Sequence, residues 1–324
     1  MTKLQFKWID DDPVRERAAI TLGEALNVDV EFIDASLEDS TMNFSSFLEE
    51  QEPDLIIIDH NLADIKSGVF RKGSTVATYI RERWSDCPII SISGNIVEVD
   101  SQQRSLYVDL FPIERISDYY PNILSIAESF KDLKSRRPSN VEEFLELIGT
   151  PEDDKLNLIT VLPTVLKHDF SNRSLLVEIA QWIKFVLLKR PGFLLSEIWV
   201  ATLLGIKQSS FHKIENLFKK AEYQGYFANK NERRWWRSEI LTIIYELVEE
   251  GTYPWEKGRY LDGIVDEDFS VCYSSDEPFP ETVAFTDDTS EAIEVPIKLK
   301  YSYLHPGYES LLNFEDIRLM TPAE

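Results

Sequence analysis

The chain has 324 residues, of which 43% are hydrophobic and 28% charged, a composition typical of a soluble globular protein. Its 57 acids against 34 bases give a net charge of −23, which argues against indiscriminate nucleic-acid binding. No apolar run approaches the ~18–20 residues of a membrane span, and the N-terminus lacks the apolar stretch of a signal peptide, so a cytoplasmic location is expected.

Two domains are the natural expectation, since single cores seldom grow beyond ~250–300 residues. The charge is unevenly spread. Residues 1–137 hold 25 acids and 15 bases, residues 138–261 hold 17 and 16, and residues 262–324 hold 15 and 3, so a nearly neutral middle separates two acidic segments. Cys87 and Cys272 stand far apart without His or Cys at metal-binding spacing, and read as free thiols in a reducing compartment.

The first predicted strand is LQFKWI, Leu4 to Ile9, which runs into Asp10, Asp11 and Asp12 and then Pro13. VRERAAITLGEAL reads as a helix, VDVEFID as a strand and SSFLEEQ as a short helix. Then comes LIIIDHN, Leu55 to Asn61, whose four consecutive aliphatic residues suit a parallel strand covered on both faces. STVATYIRERW is the next helix, PIISIS the next strand, ending at Ser93, and DLFPIERI contains a fifth. NIVEVDSQQRSLY is a poor helix, which leaves the fourth crossover open, and YPNILSIAESFKDLK closes the domain. This alternation predicts a doubly wound α/β sheet over residues 1–135, with the Pro138-interrupted stretch 136–141 as a linker.

Asp10, Asp11 and Asp59 all fall at carboxyl ends of predicted strands, where open α/β sheets bind ligands. Adjacent acids repel one another unless solvated or neutralised by a cation, and an all-oxygen donor set suits Mg²⁺. A plain helix-capping role for Asp59 is the alternative. These residues resemble the receiver domain of bacterial response regulators. The resemblance matches the family's acidic pair with Asp10 and Asp11, its phospho-accepting aspartate with Asp59, its Ser or Thr after the fourth strand with Ser93, and the glycine opening its third helix with Gly73.

Two departures stand out. ADIKSGVFRK, between Asp59 and Gly73, is longer than the family's loop and would insert a segment over the acids. The family's lysine after the fifth strand is absent. Alignment on Pro112 puts Phe111 there, and spacing from Ser93 puts Arg115 there, which would keep a positive charge with fork geometry.

From Asn140 the pattern turns helical, with VEEFLELIG, KLNLITVLPTVLK broken at Pro163, and SLLVEIAQWIKFVLLKR. The stretch from Val200 resembles a winged helix-turn-helix. A helix ends at Gly205, a second begins near Gln208 or Ser209, and YFANKNERRWWRS supplies a hairpin around Asn229 to Asn231. Lys207 to Arg237 carries eight Lys or Arg against three Glu. Gln208, Ser209, His212, Lys213, Asn216, Lys220, Arg233, Arg234 and Arg237 are the residues that would face a duplex. Phe211, Ile214, Leu217 and Phe218 read as core, and Trp235 and Trp236 as packing at a domain seam. The helical domain is expected over 142–261. An acidic β-containing extension follows over 262–324, where Pro296 keeps IEVPIKLKYSY off a central strand position.

No phosphate-cradling glycine loop, HExxH, CxxC pair or GxSxG is present, and hydrolytic catalysis is not expected. His60 follows Asp59 directly, so in an extended strand it points to the opposite face. The resemblance implies a signalling switch in which Asp59 accepts a phosphoryl group from a histidine kinase, with Mg²⁺ held by Asp10, Asp11 and Asp59. Ser93 and Arg115 would then contact the phosphoryl group, and the second half would be the output. Two rivals stand beside it. One is a phosphorylation-independent adaptor that docks a protein partner, in the style of bacterial anti-phage components; the other is a DNA-binding regulator using the basic stretch. The oligomeric state, a dimer included, is left open.

Overall fold

The computed structural model describes residues 3–35, 49, 51–62, 72–94, 105–189, 192–229, 232–270, 282–286 and 294–298. Contacts divide the chain into one unit of Met1–Ser139 with His168–Gln181 and a second of Asn140–Lys167 with Trp182–Glu324. Among the described residues no helix is long and apolar enough to cross a membrane. The short second helix, the insertion after Asp59 and the fourth crossover fall almost wholly outside the described residues.

In the first unit the five predicted strands form as β1 (Gln5–Asp10), β2 (Asp29–Asp34), β3 (Leu55–Asp59), β4 (Ile89–Ser93) and β5 (Asp109–Pro112). All pair in parallel, in the order β2-β1-β3-β4-β5. This is the doubly wound order of flavodoxin and CheY-type receivers, whose ligand crevice opens where the order reverses, between β1 and β3. Leu55 to Ile58 are fully buried, as their unbroken aliphatic run requires. Lys7 lies on β1 with its stem buried and its Nζ 2.7 Å from Glu31 Oε2 on β2, so its charge stays paired at the sheet edge.

Helix α1 (Glu16–Leu26) buries Ala19 and Leu22 and ends at Asn27, whose φ of 53° is a left-handed stop that asparagine tolerates. Helix α2 (Gly73–Arg83) buries Val76, Ala77 and Ile80. Its first residue must be glycine, because a Cβ on Gly73 would lie 2.2 Å from the Asp59 carbonyl oxygen. The Gly73 N–H donates to the His60 carbonyl at 2.9 Å, fixing the helix start against the end of β3. Helix α3 (Tyr120–Ser135) buries Ile123, Ile126, Ala127, Phe130 and Leu133, one face at helical spacing.

Residues 168–181, read from sequence as part of the helical half, pack with the first unit. Asp86 accepts from the Leu176 N–H at 3.0 Å and from Arg137, and Arg137 also donates to the Asn172 carbonyl at 2.6 Å. Ser85 Oγ donates to the Arg173 carbonyl at 2.8 Å, and Gln181 Nε2 to the Ser105 carbonyl at 2.5 Å.

In the second unit α4 (Val141–Leu147) starts at Asn140, whose side chain accepts the Glu143 N–H at 2.9 Å. Helices α5 (Lys155–Val161) and α6 (Val165–His168) flank Pro163. Helix α7 (Leu175–Trp182), which belongs to the first unit as far as Gln181, runs into a π-helical turn over Ile183–Leu187. Helix α8 (Glu197–Leu203) ends at the expected tight turn, with Gly205 at φ +69°. The long second helix expected from Gln208 is not formed. Two 3₁₀ segments, Gln208–Lys213 and Glu215–Ala221, meet at Ile214, where φ is −123°. Phe211 and Ile214, like Phe218 and Ala221, are buried three residues apart, a spacing that suits the tighter 3₁₀ repeat.

The polypeptide then returns. Tyr223 N–H donates to the Arg234 carbonyl at 2.8 Å, Glu222 bridges to Trp235, and β7 (Trp235–Trp236) pairs antiparallel with β6 (Leu194–Leu195). Trp235 is not at a domain seam. It is fully buried in the core of the second unit, edge-on to Phe211 at 5.2 Å. Helices α9 (Arg237–Leu247) and α10 (Pro254–Lys257) follow. In the acidic extension β8 (Thr282–Thr286) and β9 (Glu294–Lys298) form a two-stranded antiparallel sheet with Pro296 opposite Ala284, so Pro296 occupies no central strand.

Candidate functional site

The β1–β3 register, Trp8 opposite Ile57 and Ile9 opposite Ile58, brings Asp10 level with Asp59 at the carboxyl ends of the strands. Asp10, Asp11 and Asp59 each offer a carboxylate oxygen, and these oxygens lie within 4.8 Å of one another. Asp10 is 1% exposed. The Trp8 indole N–H donates to its Oδ2 at 3.2 Å and the Asp12 N–H to its Oδ1 at 3.0 Å. Burial raises the pKa of Asp10; these two bonds and the Arg15 guanidinium oppose the rise, and Asp11 adds to it.

Asp59 is pushed up to about 7, first by burial and then by the neighbouring Asp10. The Asn61 N–H, 3.3 Å from Asp59 Oδ1, opposes that rise, Asp11 adds to it, and Arg15 lowers it. Three carboxylates, one buried and one held near neutrality, form an all-oxygen cluster short of positive charge. These residues fit a hard divalent cation such as Mg²⁺, which takes carboxylate oxygens.

Ser93 ends β4 and is buried, one residue beyond the level of Asp59 in the sheet register. The two sequence alternatives for the missing lysine differ in place: Phe111 on β5 pairs with Ile92 and so stands level with Asp59 in the register, whereas Arg115 follows the strand. Phe111 is buried, its ring 4.9 Å from that of Tyr119. Arg115 lies past the strand end, 69% exposed, with Nε 2.9 Å from Asp118 Oδ2. The side chain of His60 is buried edge-on to Tyr107 at 6.3 Å, and burial together with Lys72 lowers its pKa.

Sequence reasoning passed over two residues. Trp8 precedes Asp10 by two positions and so shares its strand face, a period-two signal that was readable. Arg15 was the less visible of the two, because its placement depends on the short 3₁₀ turn Pro13–Arg15.

Part of the charge of the basic stretch is engaged within the fold, while Lys207, Lys219 and Lys220 are exposed. Both carboxylate oxygens of Asp268 lie 2.7 Å from Lys213 Nζ. Arg233 holds Glu222 by two bonds of 2.8 and 3.0 Å and Glu215 by one of 3.0 Å, with its guanidinium 4.9 Å from the centre of the Trp235 ring. Arg234 donates to the Leu188 carbonyl at 2.9 Å, and Arg237 acts on half-buried Asp154. Gln208, Ser209, His212, Asn216 and Lys220 are exposed on the 3₁₀ segments.

No protein-family model matches the chain, and neither does any curated protein. Among solved structures, a CheY-like receiver domain from Methylobacillus flagellatus shares 16% identity over 39% of this chain and 99% of its own, at a TM-score of 0.32. The receiver domain of a sensor histidine kinase from Pseudomonas aeruginosa, solved with magnesium in its active-site cleft, shares 17% over 38% and 98%, at 0.30. A receiver domain from Methanospirillum hungatei shares 12% over 40% and 98%, at 0.33. The likeness is one of fold and concerns the first unit, whose strand order is the flavodoxin-like one.

Proposed function

We propose that the first unit is a phospho-accepting switch. The observation that carries this reading is the convergence of Asp10, Asp11 and Asp59 at the β1–β3 reversal, with Ser93 one strand away. An Asp59 carboxylate oxygen attacks the phosphorus of a phosphohistidine on a partner kinase. The new O–P bond forms as the P–N bond breaks, and its electron pair leaves with the imidazole. Asp59 must be ionised to attack, and its pKa near 7 keeps it partly protonated until a cation arrives. Asp10, Asp11 and Asp59 would hold Mg²⁺, which would supply that charge. Ser93 then donates its hydroxyl to a phosphoryl oxygen, and the added charge of about −1.5 to −2 resets the surrounding surface for a protein partner.

The test is the intact mass of the full chain after incubation with acetyl phosphate and Mg²⁺. One phosphoryl adduct is expected on wild type and none on Asp59→Asn. A second reading, a docking platform that is never phosphorylated, is favoured by buried Phe111 and outward-facing Arg115. It would hold if wild type acquires no adduct and Asp59→Asn binds the same protein partner equally well.

A further inference from the structure

We propose that the returning segment 168–181 is the element that reads the state of Asp59, and that Tyr107 and Gln181 carry that state to it. This inference rests on the switch reading above and concerns the first unit alone. Tyr107 stands just before β5, at the amino ends of the parallel strands, and the neighbouring Val108 N–H donates to the carbonyl of Ile89, the first residue of β4, at 2.8 Å. His60 lies at the other end of the sheet, directly after Asp59 and β3. The two rings nevertheless meet edge-on with centroids 6.3 Å apart, so the fully buried Tyr107 side chain runs along the sheet toward the acidic site.

The His60 backbone is fixed, its N–H donating to the Ile92 carbonyl and its carbonyl accepting the Gly73 N–H, each at 2.9 Å. Its imidazole is held less firmly, because the buried Nδ1 has no hydrogen-bond partner among the described residues. Tyr107 is gripped at its other end through the main chain. Gln181 Nε2 donates to the Ser105 carbonyl at 2.5 Å and to the Tyr107 carbonyl at 3.3 Å. The remainder of the segment is fastened to the turn before β4, where Asp86 accepts the Leu176 N–H and Ser85 Oγ donates to the Arg173 carbonyl. Gln181 is therefore the residue through which the segment meets the stretch leading back to Asp59. A phosphoryl group adds about −1.5 to −2 charge on the residue preceding His60. The imidazole shifts, the Tyr107 ring follows because packed side chains move in discrete steps, and the Tyr107 backbone loosens from Gln181.

Hydrogen exchange over Leu175–Gln181, read by mass spectrometry on the full chain before and after acetyl phosphate with Mg²⁺, tests the coupling. In wild type the adduct should speed exchange of these amides by roughly three-fold or more. Gln181→Leu, a change at a half-buried site, should take up the phosphoryl group to the same extent by intact mass and show no exchange difference between its two states. Tyr107→Phe should keep the wild-type response, since the ring is what bears on His60. A merely structural Gln181 would give a variant whose exchange rises in both states alike with the difference intact, and that result would overturn the assignment. So would a phosphorylated wild type with unchanged exchange over the segment, or a Tyr107→Phe variant that loses the response. A wild type that takes no adduct would overturn the switch reading itself, and this inference with it.

Discussion

Asp59 in the first unit, half-buried, and Asp268 in the second, buried, sit in opposite electrostatic surroundings. Asp59 is raised to about 7 by burial and by Asp10 beside it. Asp268 is lowered to about 2, chiefly by Lys213, with the Val265 N–H and Ser210 hydroxyl adding to it. One unit gathers like charges at a sheet end. In the other, Lys213, read from sequence as part of a nucleic-acid face, holds Asp268, and Arg233 holds Glu215 and Glu222. An acid raised by burial and by its like-charged neighbours suits a cation from outside, whereas an acid with four hydrogen bonds is part of the scaffold.

The largest expected effect comes from breaking the satisfied side. Asp268→Ala leaves Lys213, the Ser210 hydroxyl and the Val265 N–H without their acceptor, and should cost the second unit ~2–4 kcal/mol. Faster amide hydrogen exchange over residues 208–221 would register it; unchanged protection would show that the clasp is incidental.

A smaller effect of opposite sign belongs to the unsatisfied side. Since the folded-state pKa of Asp59 lies above the ordinary aspartate value of about 3.9, the native state binds the extra proton between about pH 4 and 7. Ionised Asp59 therefore weakens the fold above pH 7, and the penalty fades as pH falls toward 4. Asp59→Asn should stabilise the first unit by ~1–2 kcal/mol at pH 8 and by nothing at pH 4, read from denaturant midpoints. Equal gains at both pH values would remove the charge argument. Asp268 runs the other way, its stabilisation disappearing only as pH falls from about 4 through 2.

Smallest of all should be Lys220→Ala. Its side chain is exposed on a 3₁₀ segment, so stability should move by less than ~0.5 kcal/mol, and retention of a DNA duplex at low salt should not change. Lost retention would mean that the second unit keeps charge turned outward after all.

Most of the acidic site was legible because it depends on strand ends. An aliphatic run that stops at Asp59, and the strand-like LQFKWI that stops at Asp10, mark the carboxyl edge of a parallel sheet without knowledge of its neighbours. Arg115, offered from sequence for the lysine's place, pairs with Asp118 three residues on, a partner that one helical turn brings within reach. The basic stretch failed on period. Phe211, Ile214, Leu217 and Phe218 fit an α-helical face as well as a pair of 3₁₀ turns, and only the break at Ile214 distinguishes them. The return of residues 168–181 had no signal at all, because hydrogen bonds from Ser85, Arg137 and Gln181 to backbone carbonyls leave no trace in composition.

That return has a consequence for how the protein is made. A chain emerging from the ribosome exposes its N-terminal end first, and domains ordinarily fold in that order. Here the first unit cannot be completed when Ser139 appears, since the residues that engage Asp86, Ser85 and Arg137 come more than thirty positions later. By the time Gln181 is free, residues 140–167 of the other unit are already outside. The two units must therefore fold as interleaved stretches of nascent chain, and no single scission of the mature polypeptide releases the receiver-type unit whole.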